Sequence, residues 1–157
     1  MKKLIIFLFL FTFSNSYSSE IQFEKIFDDL NKPWSLSFID KENVIITEKT
    51  GKLLTLNLKD KNINEIKHNL SLISLGQGGL LDVLYKDNTI YISYSENRGN
   101  WETSTSVAKG IFDKKKIVFK NIFRAEPPID SGYHFGSRLV IKDKHLYITA
   151  GERGKGM

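Results

Sequence analysis

Short alternating or wholly apolar runs, separated by polar turns, recur along most of the chain. No window keeps the 3.6-residue spacing of apolar positions that an amphipathic helix requires. Asp, Asn, Lys and Gly bound the runs, which is typical of β-strands joined by tight turns. We predict strands over residues 34–39, 43–48, 52–58, 80–85, 89–95, 106–112, 116–124, 138–142 and 145–150. The pattern therefore predicts an all-β fold.

Three predicted hairpins follow one plan, in which an apolar strand leads through a short polar turn into a second strand. Their second strands contain Ile46, Ile92 and Ile148, which are 46 and 56 residues apart. A strand-rich period of about 40 to 50 residues is typical of β-propeller blades. The chain would hold about two and a half such blades. A β-sandwich of the same strands is the alternative that the pattern leaves open.

An incomplete propeller would expose unpaired strand edges, because propellers commonly close about 4 to 8 blades into a ring. We therefore expect residues 19–157 to be the N-terminal part of a longer propeller domain, truncated at its C-terminus.

The N-terminus has the layout of a secretory signal peptide. Lys2 and Lys3 precede an apolar run from Leu4 to Phe13, and small residues follow at 16–18. The run is well short of the roughly 20 residues that span a bilayer. We expect residues 1–18 to be removed before Ser19, leaving a periplasmic or secreted protein without a membrane span.

Composition excludes several classes of protein. The chain has 23 basic and 18 acidic residues, and Lys2 and Lys3 contribute two of its five net positive charges. The remainder is too weakly basic for a nucleic-acid-binding surface, so no nucleic acid partner is expected. There is no cysteine, which excludes disulfides, thiolate metal sites and a Cys nucleophile. A hydrophobic content of 41% excludes a disordered chain.

Among the three histidines, His134 has the most suggestive surroundings. It lies between Gly132 and Gly136 in a loop that leads into a predicted inner strand, whereas His68 and His145 lie in polar connections and are expected to be exposed. Glycines permit close approach to a ligand, and an imidazole suits general-base catalysis near neutral pH. A catalytic base and a structural loop histidine are both open on spacing alone.

Three glycine-containing polar loops adjoin inner strands, at 76–79, 132–136 and 151–154. In a propeller such loops can converge at one mouth of the central channel, where Gln77 would offer an amide donor and acceptor. The 76–79 loop is not a phosphate-binding loop, because no Lys-Ser/Thr pair or helix follows it. No zinc spacing or calcium loop is present, so we assign no metal ligand.

Taken together, seven segments resemble the soluble quinoprotein glucose/sorbosone dehydrogenases, in particular their bacterial aldose sugar dehydrogenase branch. The segments are 32–36, 47–53, 76–83, 91–95, 123–127, 132–139 and 151–154, and they occur in the order of the family. The resemblance implies an exported six-bladed β-propeller that uses pyrroloquinoline quinone (PQQ) and calcium to oxidise aldose sugars to lactones.

The resemblance also implies roles for individual residues. His134 matches the catalytic base that takes the proton of the anomeric hydroxyl while hydride passes to the quinone. Gln77 matches a glutamine that lines both the cofactor and the sugar, and Tyr133 and Arg138 stand at cofactor-binding positions. Arg138 is equally well explained as a structural ion partner. Arg153 lies in a mouth loop, which implies a contact with the sugar.

Two departures from the glucose dehydrogenase branch leave the sugar preference open. That branch resembles Gly-Asp-Gln-Gly where this chain has Glu152 and Arg153 between two glycines, and it has an aspartate in place of Tyr133.

In the family, the calcium ligands and most PQQ-binding residues come from later blades. We therefore expect the 157-residue chain alone to bind no cofactor and to be inactive.

The implied partners are an aldose sugar and an external electron acceptor, and a homodimer is an expected assembly. The alternatives are a non-catalytic secreted propeller that binds carbohydrate or protein, and a propeller lactonase-type hydrolase, which would need metal-binding carboxylates around the channel.

Overall fold

A computed structural model describes residues 21–156, so the predicted signal peptide lies outside the described residues. Within this range the chain forms strands and no helix, and hence no helix that could cross a membrane. The strands are β1 (Pro33–Phe38), β2 (Asn43–Glu48), β3 (Leu53–Asn57), β4 (Ile63–His68), β5 (Leu80–Lys86), β6 (Thr89–Asn97), β7 (Thr103–Ile111), β8 (Lys116–Ile117), β9 (Lys120–Arg124), β10 (Gly136–Lys142) and β11 (His145–Ala150). The predicted all-β class is confirmed.

The strands form two blades and the inner hairpin of a third. Blade 1 has the order β1-β2-β3-β4, blade 2 the order β5-β6-β7-β9, and β10 pairs with β11. Neighbours within each blade are antiparallel. The innermost strands β1 and β10 both pack against β5, the innermost strand of blade 2. The predicted arrangement of about two and a half propeller blades is therefore confirmed.

The outermost strand of blade 1, β4, was not predicted. Among its side chains only Ile66 is buried, because the strand lies at the rim of the blade and most of its residues face solvent. His68 is consequently the last residue of a strand and not part of a polar connection. It is half-buried, and its Nε2 atom lies 2.7 Å from the carbonyl oxygen of Gly51.

The strand predicted over 116–124 is divided between the two blades. Its first part, β8, pairs in parallel with β4 of blade 1, and its second part, β9, pairs with β7 of blade 2. Between them Phe119 is buried, and its N–H donates to Oδ1 of Asn69 at 2.8 Å. This crossing ties the end of blade 2 to blade 1.

An apolar cluster fills the space between blades 1 and 2, and we call it the apolar seam. Its members are almost completely buried, and each large aliphatic side chain contributes about 1.5–3 kcal/mol by leaving water. They are Ile45, Leu53, Ile66, Leu80, Val83, Ile90, Ile92, Tyr94, Ala108, Ile117 and Phe119.

The opposite face of blade 1 is only partly covered. Phe27 and Leu30, from the segment before β1, pack on the apolar side chains of β2 and β3. Trp34, Leu36 and Phe38, which alternate along β1, stay about half exposed. These three side chains form an apolar row along the innermost strand of blade 1.

Candidate functional site

The three glycine-containing loops meet at His134. The backbone N–H of His134 donates to Oε1 of Gln77 at 2.8 Å, and the N–H of Gln77 donates to the carbonyl oxygen of Gly132 at 2.7 Å. The third loop joins them because the N–H of Gly151 donates to the carbonyl oxygen of Phe135 at 3.1 Å. Hydrogen bonds therefore hold together loops that are far apart in the sequence.

Two of the glycines are required by how closely these loops approach one another. A Cβ atom on Gly151 would overlap the carbonyl oxygen of His134, and one on Gly76 would overlap the carbonyl oxygen of Gly132. Gly76 also has a φ of +57°, which disfavours side chains. Larger residues at either position would push the loops apart.

The loop that carries His134 lies on a row of buried hydroxyl groups from blade 2. Thr105 donates to the carbonyl oxygen of Phe135 at 2.7 Å, and Ser93 donates to that of Ser137 at 2.7 Å. Thr103 donates to the carbonyl oxygen of Ser131 at 3.0 Å. These three hydroxyls, which we call the hydroxyl row, fix the backbone on both sides of His134.

His134 itself has a left-handed backbone, with a φ of 48°. This conformation is uncommon for a residue other than glycine and persists only where the surroundings impose it. Here the hydrogen bonds to Gln77 and to the hydroxyl row supply that constraint. They leave the imidazole half exposed, with 53% of the side chain accessible.

The imidazole of His134 is paired with the carboxylate of Glu152. Nδ1 of His134 contacts Oε1 of Glu152, and the same oxygen accepts the N–H of Gly154 at 3.1 Å. The hydrogen bond from His134 holds the pKa of Glu152 below its usual range, so the carboxylate stays ionised. An Nδ1–H that donates to this carboxylate leaves Nε2 of the neutral ring as a proton acceptor.

Gln77 and Tyr133 stand beside this pair at the surface. The Tyr133 ring is exposed and meets the imidazole edge to face, with 6.3 Å between ring centroids. Gln77 is also exposed and uses only its carbonyl oxygen on His134. The structure thus brings together Gln77, Tyr133 and His134, three of the predicted site residues.

Arg138 belongs to a different cluster, on the innermost strands. Its Nη1 atom lies 3.2 Å from Oδ1 of Asp82, which is buried. Asp82 also accepts the N–H of Leu139 at 2.7 Å and the hydroxyl of Ser35 at 2.5 Å, so it links all three inner strands. The alternative role of Arg138 as an ion partner matches this placement, although most of its side chain remains exposed.

Arg153 is buried against the loop that carries His134. Only 5% of the residue is exposed, and its guanidinium stacks on the ring of Phe135 at 3.7 Å from the centroid. Its nitrogen atoms donate to the carbonyl oxygens of Tyr133 and Thr103 at 2.9 and 3.0 Å, and burial lowers its pKa. In the described residues Arg153 therefore contacts the loop that carries His134, and the expected contact with substrate stays a prediction.

Glu152, the neighbour of Arg153, was given no site role from the sequence. A carboxylate beside a glycine in the third loop was the available signal. Its pairing with His134, 18 positions away, depends on the convergence of two loops. Among residues 21–156, no group of three or more His, Cys, Asp or Glu side chains is arranged to hold a metal ion.

The fold and the site together define a class of protein: a β-propeller with a histidine–carboxylate pair at the mouth formed by its inner-strand loops. The model of the family described as "Glucose / Sorbosone dehydrogenase" matches residues 30–157. The chain belongs to this family, which confirms the resemblance read from its loops.

Relatives with known names agree with this assignment. Aldose sugar dehydrogenase YliI of Escherichia coli is 32% identical over 145 residues, covering 86% of this chain and 39% of the relative. A crystal structure of glucose dehydrogenase superposes with a TM-score of 0.78 at 31% identity, over 84% of this chain and 41% of that one.

A more distant structure shows the same fold. It is the PQQ-bound form of aldose sugar dehydrogenase from Streptomyces coelicolor, with a TM-score of 0.71 and 20% identity over 84% of this chain and 41% of that one. The chain thus spans about two fifths of the length of these relatives.

Proposed function

We propose that this chain is the N-terminal part of a PQQ-dependent aldose sugar dehydrogenase in which His134 is the general base. The observation that carries the proposal is the half-exposed imidazole of His134, held at the meeting point of three loops with Nδ1 on Glu152. Membership of the family and the aldose sugar dehydrogenases among its relatives support the substrate class.

Oxidation of an aldose to a lactone removes one proton from the anomeric hydroxyl and one hydride from the anomeric carbon. PQQ, when bound, supplies the acceptor for the hydride. Nε2 of His134 takes the proton, which makes loss of the hydride easier because negative charge builds on the oxygen. The carboxylate of Glu152 stabilises the imidazolium that results and holds the ring in the required tautomer.

The exposed groups beside His134 suit contact with a planar polar cofactor. The Tyr133 ring and the Gln77 amide could contact PQQ, and Gln77 could also contact the sugar. Arg138 would reach the cofactor only from the inner-strand cluster, where it is paired with Asp82. We assign the calcium ligands and the remaining cofactor contacts to the part of a longer protein that follows these blades.

The predicted signal peptide supports export, so we propose a periplasmic or secreted enzyme that passes electrons to an external acceptor. In this proposal residues 21–156 supply the base and one side of the substrate pocket.

The chain alone is expected to show no sugar-dependent dye reduction when PQQ and Ca²⁺ are added, and measurable reduction would contradict that expectation.

The role of His134 can be tested in a chimera in which residues 30–157 replace the matching segment of the E. coli aldose sugar dehydrogenase. Asparagine is the substitution of choice, because it tolerates the left-handed backbone at this position. We expect His134→Asn to lower the kcat of PQQ-dependent sugar oxidation by about two to four orders of magnitude.

The matched control is His145→Asn, since His145 is exposed at the start of β11, where its ring lies near Tyr147 and hydrogen-bonds the carbonyl oxygen of Asp143, away from residues 131–137 in the hydrogen bonds of the described residues. This variant should keep the activity of the parent chimera. Comparable kcat values for the two variants would remove His134 from the mechanism.

A further inference from the structure

Arg153 is a buried cation whose hydrogen-bond partners are neutral. They are the carbonyl oxygens of Ser131, Tyr133 and Thr103 and the hydroxyl of Thr103. Burying a charge without an acidic partner costs free energy, so a buried arginine of this kind is expected to have a specific structural or functional role. We propose that Arg153 is a positioning residue, which clamps the loop that carries His134 and so sets the direction of its imidazole.

The clamp holds the loop on both sides of His134. Nε donates to the carbonyl oxygen of Tyr133, the residue before His134, and Nη2 donates to that of Ser131. The ring of Phe135, the residue after His134, contacts the guanidinium, whose Cζ atom lies 3.7 Å from the ring centroid. Because the backbone from 131 to 135 wraps around one rigid planar group, His134 has little freedom to turn.

The clamp is anchored in blade 2 through Thr103, the first residue of β7. The guanidinium donates to both the carbonyl oxygen and the hydroxyl of Thr103, at 3.0 and 2.6 Å. In return, Ser131 donates its hydroxyl to the carbonyl oxygen of Arg153 at 2.6 Å. Arg153 therefore joins the 151–154 loop, the 131–135 loop and the rigid sheet at one point.

Lysine could not replace this geometry. A guanidinium presents five N–H donors in a fixed plane and stacks on aromatic rings, whereas an ammonium is a compact point charge with three donors. Arg153→Lys therefore preserves the charge and removes the clamp. Arg153→Met removes both and keeps much of the apolar volume, so the two variants separate the geometry from the charge.

The test is the tautomer of His134, read from the ¹⁵N chemical shifts of its ring in the labelled chimera that carries residues 30–157, alongside urea unfolding. We expect both Arg153 variants to lower the ratio of the Nδ1–H form to the Nε2–H form several-fold in the folded protein, because the imidazole no longer stays on Glu152. Arg98→Met is the control, since the Arg98 guanidinium hydrogen-bonds Ser104 and Glu126 and none of residues 131–137 in the hydrogen bonds of the described residues. It should leave the ratio unchanged.

An unchanged tautomer ratio in folded Arg153→Lys would overturn the inference, because Arg153 would then support the fold alone. If neither Arg153 variant folds, Thr103→Val carries the same readout and the same criterion; it removes one acceptor of the clamp and also the hydroxyl that donates to the carbonyl oxygen of Ser131.

The inference rests on the proposed function of His134, but the two can fail separately. The tautomer ratio reports the position of the imidazole without any turnover. Retained activity of His134→Asn would refute the general-base role and leave the clamp intact, whereas an unchanged ratio would refute the clamp and leave the base in place.

Discussion

Blade 2 meets its two neighbours in different ways. On the blade 1 side lies the apolar seam, where Ile45, Leu53 and Ile66 face the aliphatic side chains of β5 and β6. On the side of β10, the hydroxyl row and Arg153 bind backbone carbonyl oxygens of residues 131–137. The first interface adds a large apolar cluster to hydrogen bonds such as the one from Ser35 to Asp82. At the second interface, directed hydrogen bonds hold the loop that carries His134.

This contrast indicates where a propeller can hold a reactive side chain in a fixed orientation. Apolar burial stabilises in proportion to area and is non-directional, so it does not by itself orient a side chain. Hydrogen bonds weaken steeply when donor and acceptor are misaligned, so a set of them fixes a backbone in one position. His134 lies on the hydrogen-bonded interface, where its left-handed conformation can be imposed.

A substitution in the apolar seam should lower the free energy of unfolding more than any other substitution considered. Ile92 is fully buried there, and Ile92→Ala should lower the free energy of unfolding by about 2–5 kcal/mol in urea titrations. The tautomer ratio of His134 in the remaining folded protein should not change. Val140→Ala, at an exposed position of β10, is the control and should cost less than about 0.5 kcal/mol.

Equal losses for Ile92→Ala and Val140→Ala would mean that the seam does not hold the two blades together. A change in the His134 tautomer upon Ile92→Ala would mean that stability and positioning are not separable in this fold.

Removing a hydroxyl from the hydroxyl row should lower the free energy of unfolding less than a change in the apolar seam does. It should, however, have a larger effect on the tautomer of His134. Thr105→Val keeps the shape of a fully buried side chain but leaves the carbonyl oxygen of Phe135 without that donor. The free energy of unfolding should fall by about 1 kcal/mol, while the Nδ1–H form of His134 should decline.

Thr55→Val is the matched control for Thr105→Val, because the Thr55 hydroxyl makes only a long 3.5 Å contact with the carbonyl oxygen of Asn64 in blade 1. It should change neither quantity. A Thr105→Val protein with the wild-type tautomer ratio would contradict the positioning role of the hydroxyl row.

The sequence predicts the inner strands well and the rim poorly, for a physical reason. Inner strands such as β2 and β6 are buried enough to show runs of apolar residues. The rim strand β4 buries a single side chain, so it has no pattern to detect. Phe119 interrupts the predicted strand 116–124 because it enters the apolar seam, which depends on a blade that is distant in the sequence.

The same limit explains the site. The glycine spacing around His134 and Gln77 could be recognised, because close loop approach demands glycine. The different contacts of Glu152 and Arg153 could not be recognised: Glu152 pairs with the His134 imidazole, and Arg153 binds the backbone of the loop. The backbone turns at Arg153 with a φ of 64°, which helps to send one side chain to the imidazole and the next beneath the loop.

We infer that the fold presents His134 as a proton acceptor with Glu152 behind it. The most direct measurement is the tautomer of His134 in the unsubstituted chimera at alkaline pH. We predict that the neutral ring carries its proton on Nδ1, which leaves Nε2 free to accept one from a substrate hydroxyl. A neutral ring protonated mainly on Nε2 would contradict the account, because the atom that should act as the base would already hold a proton.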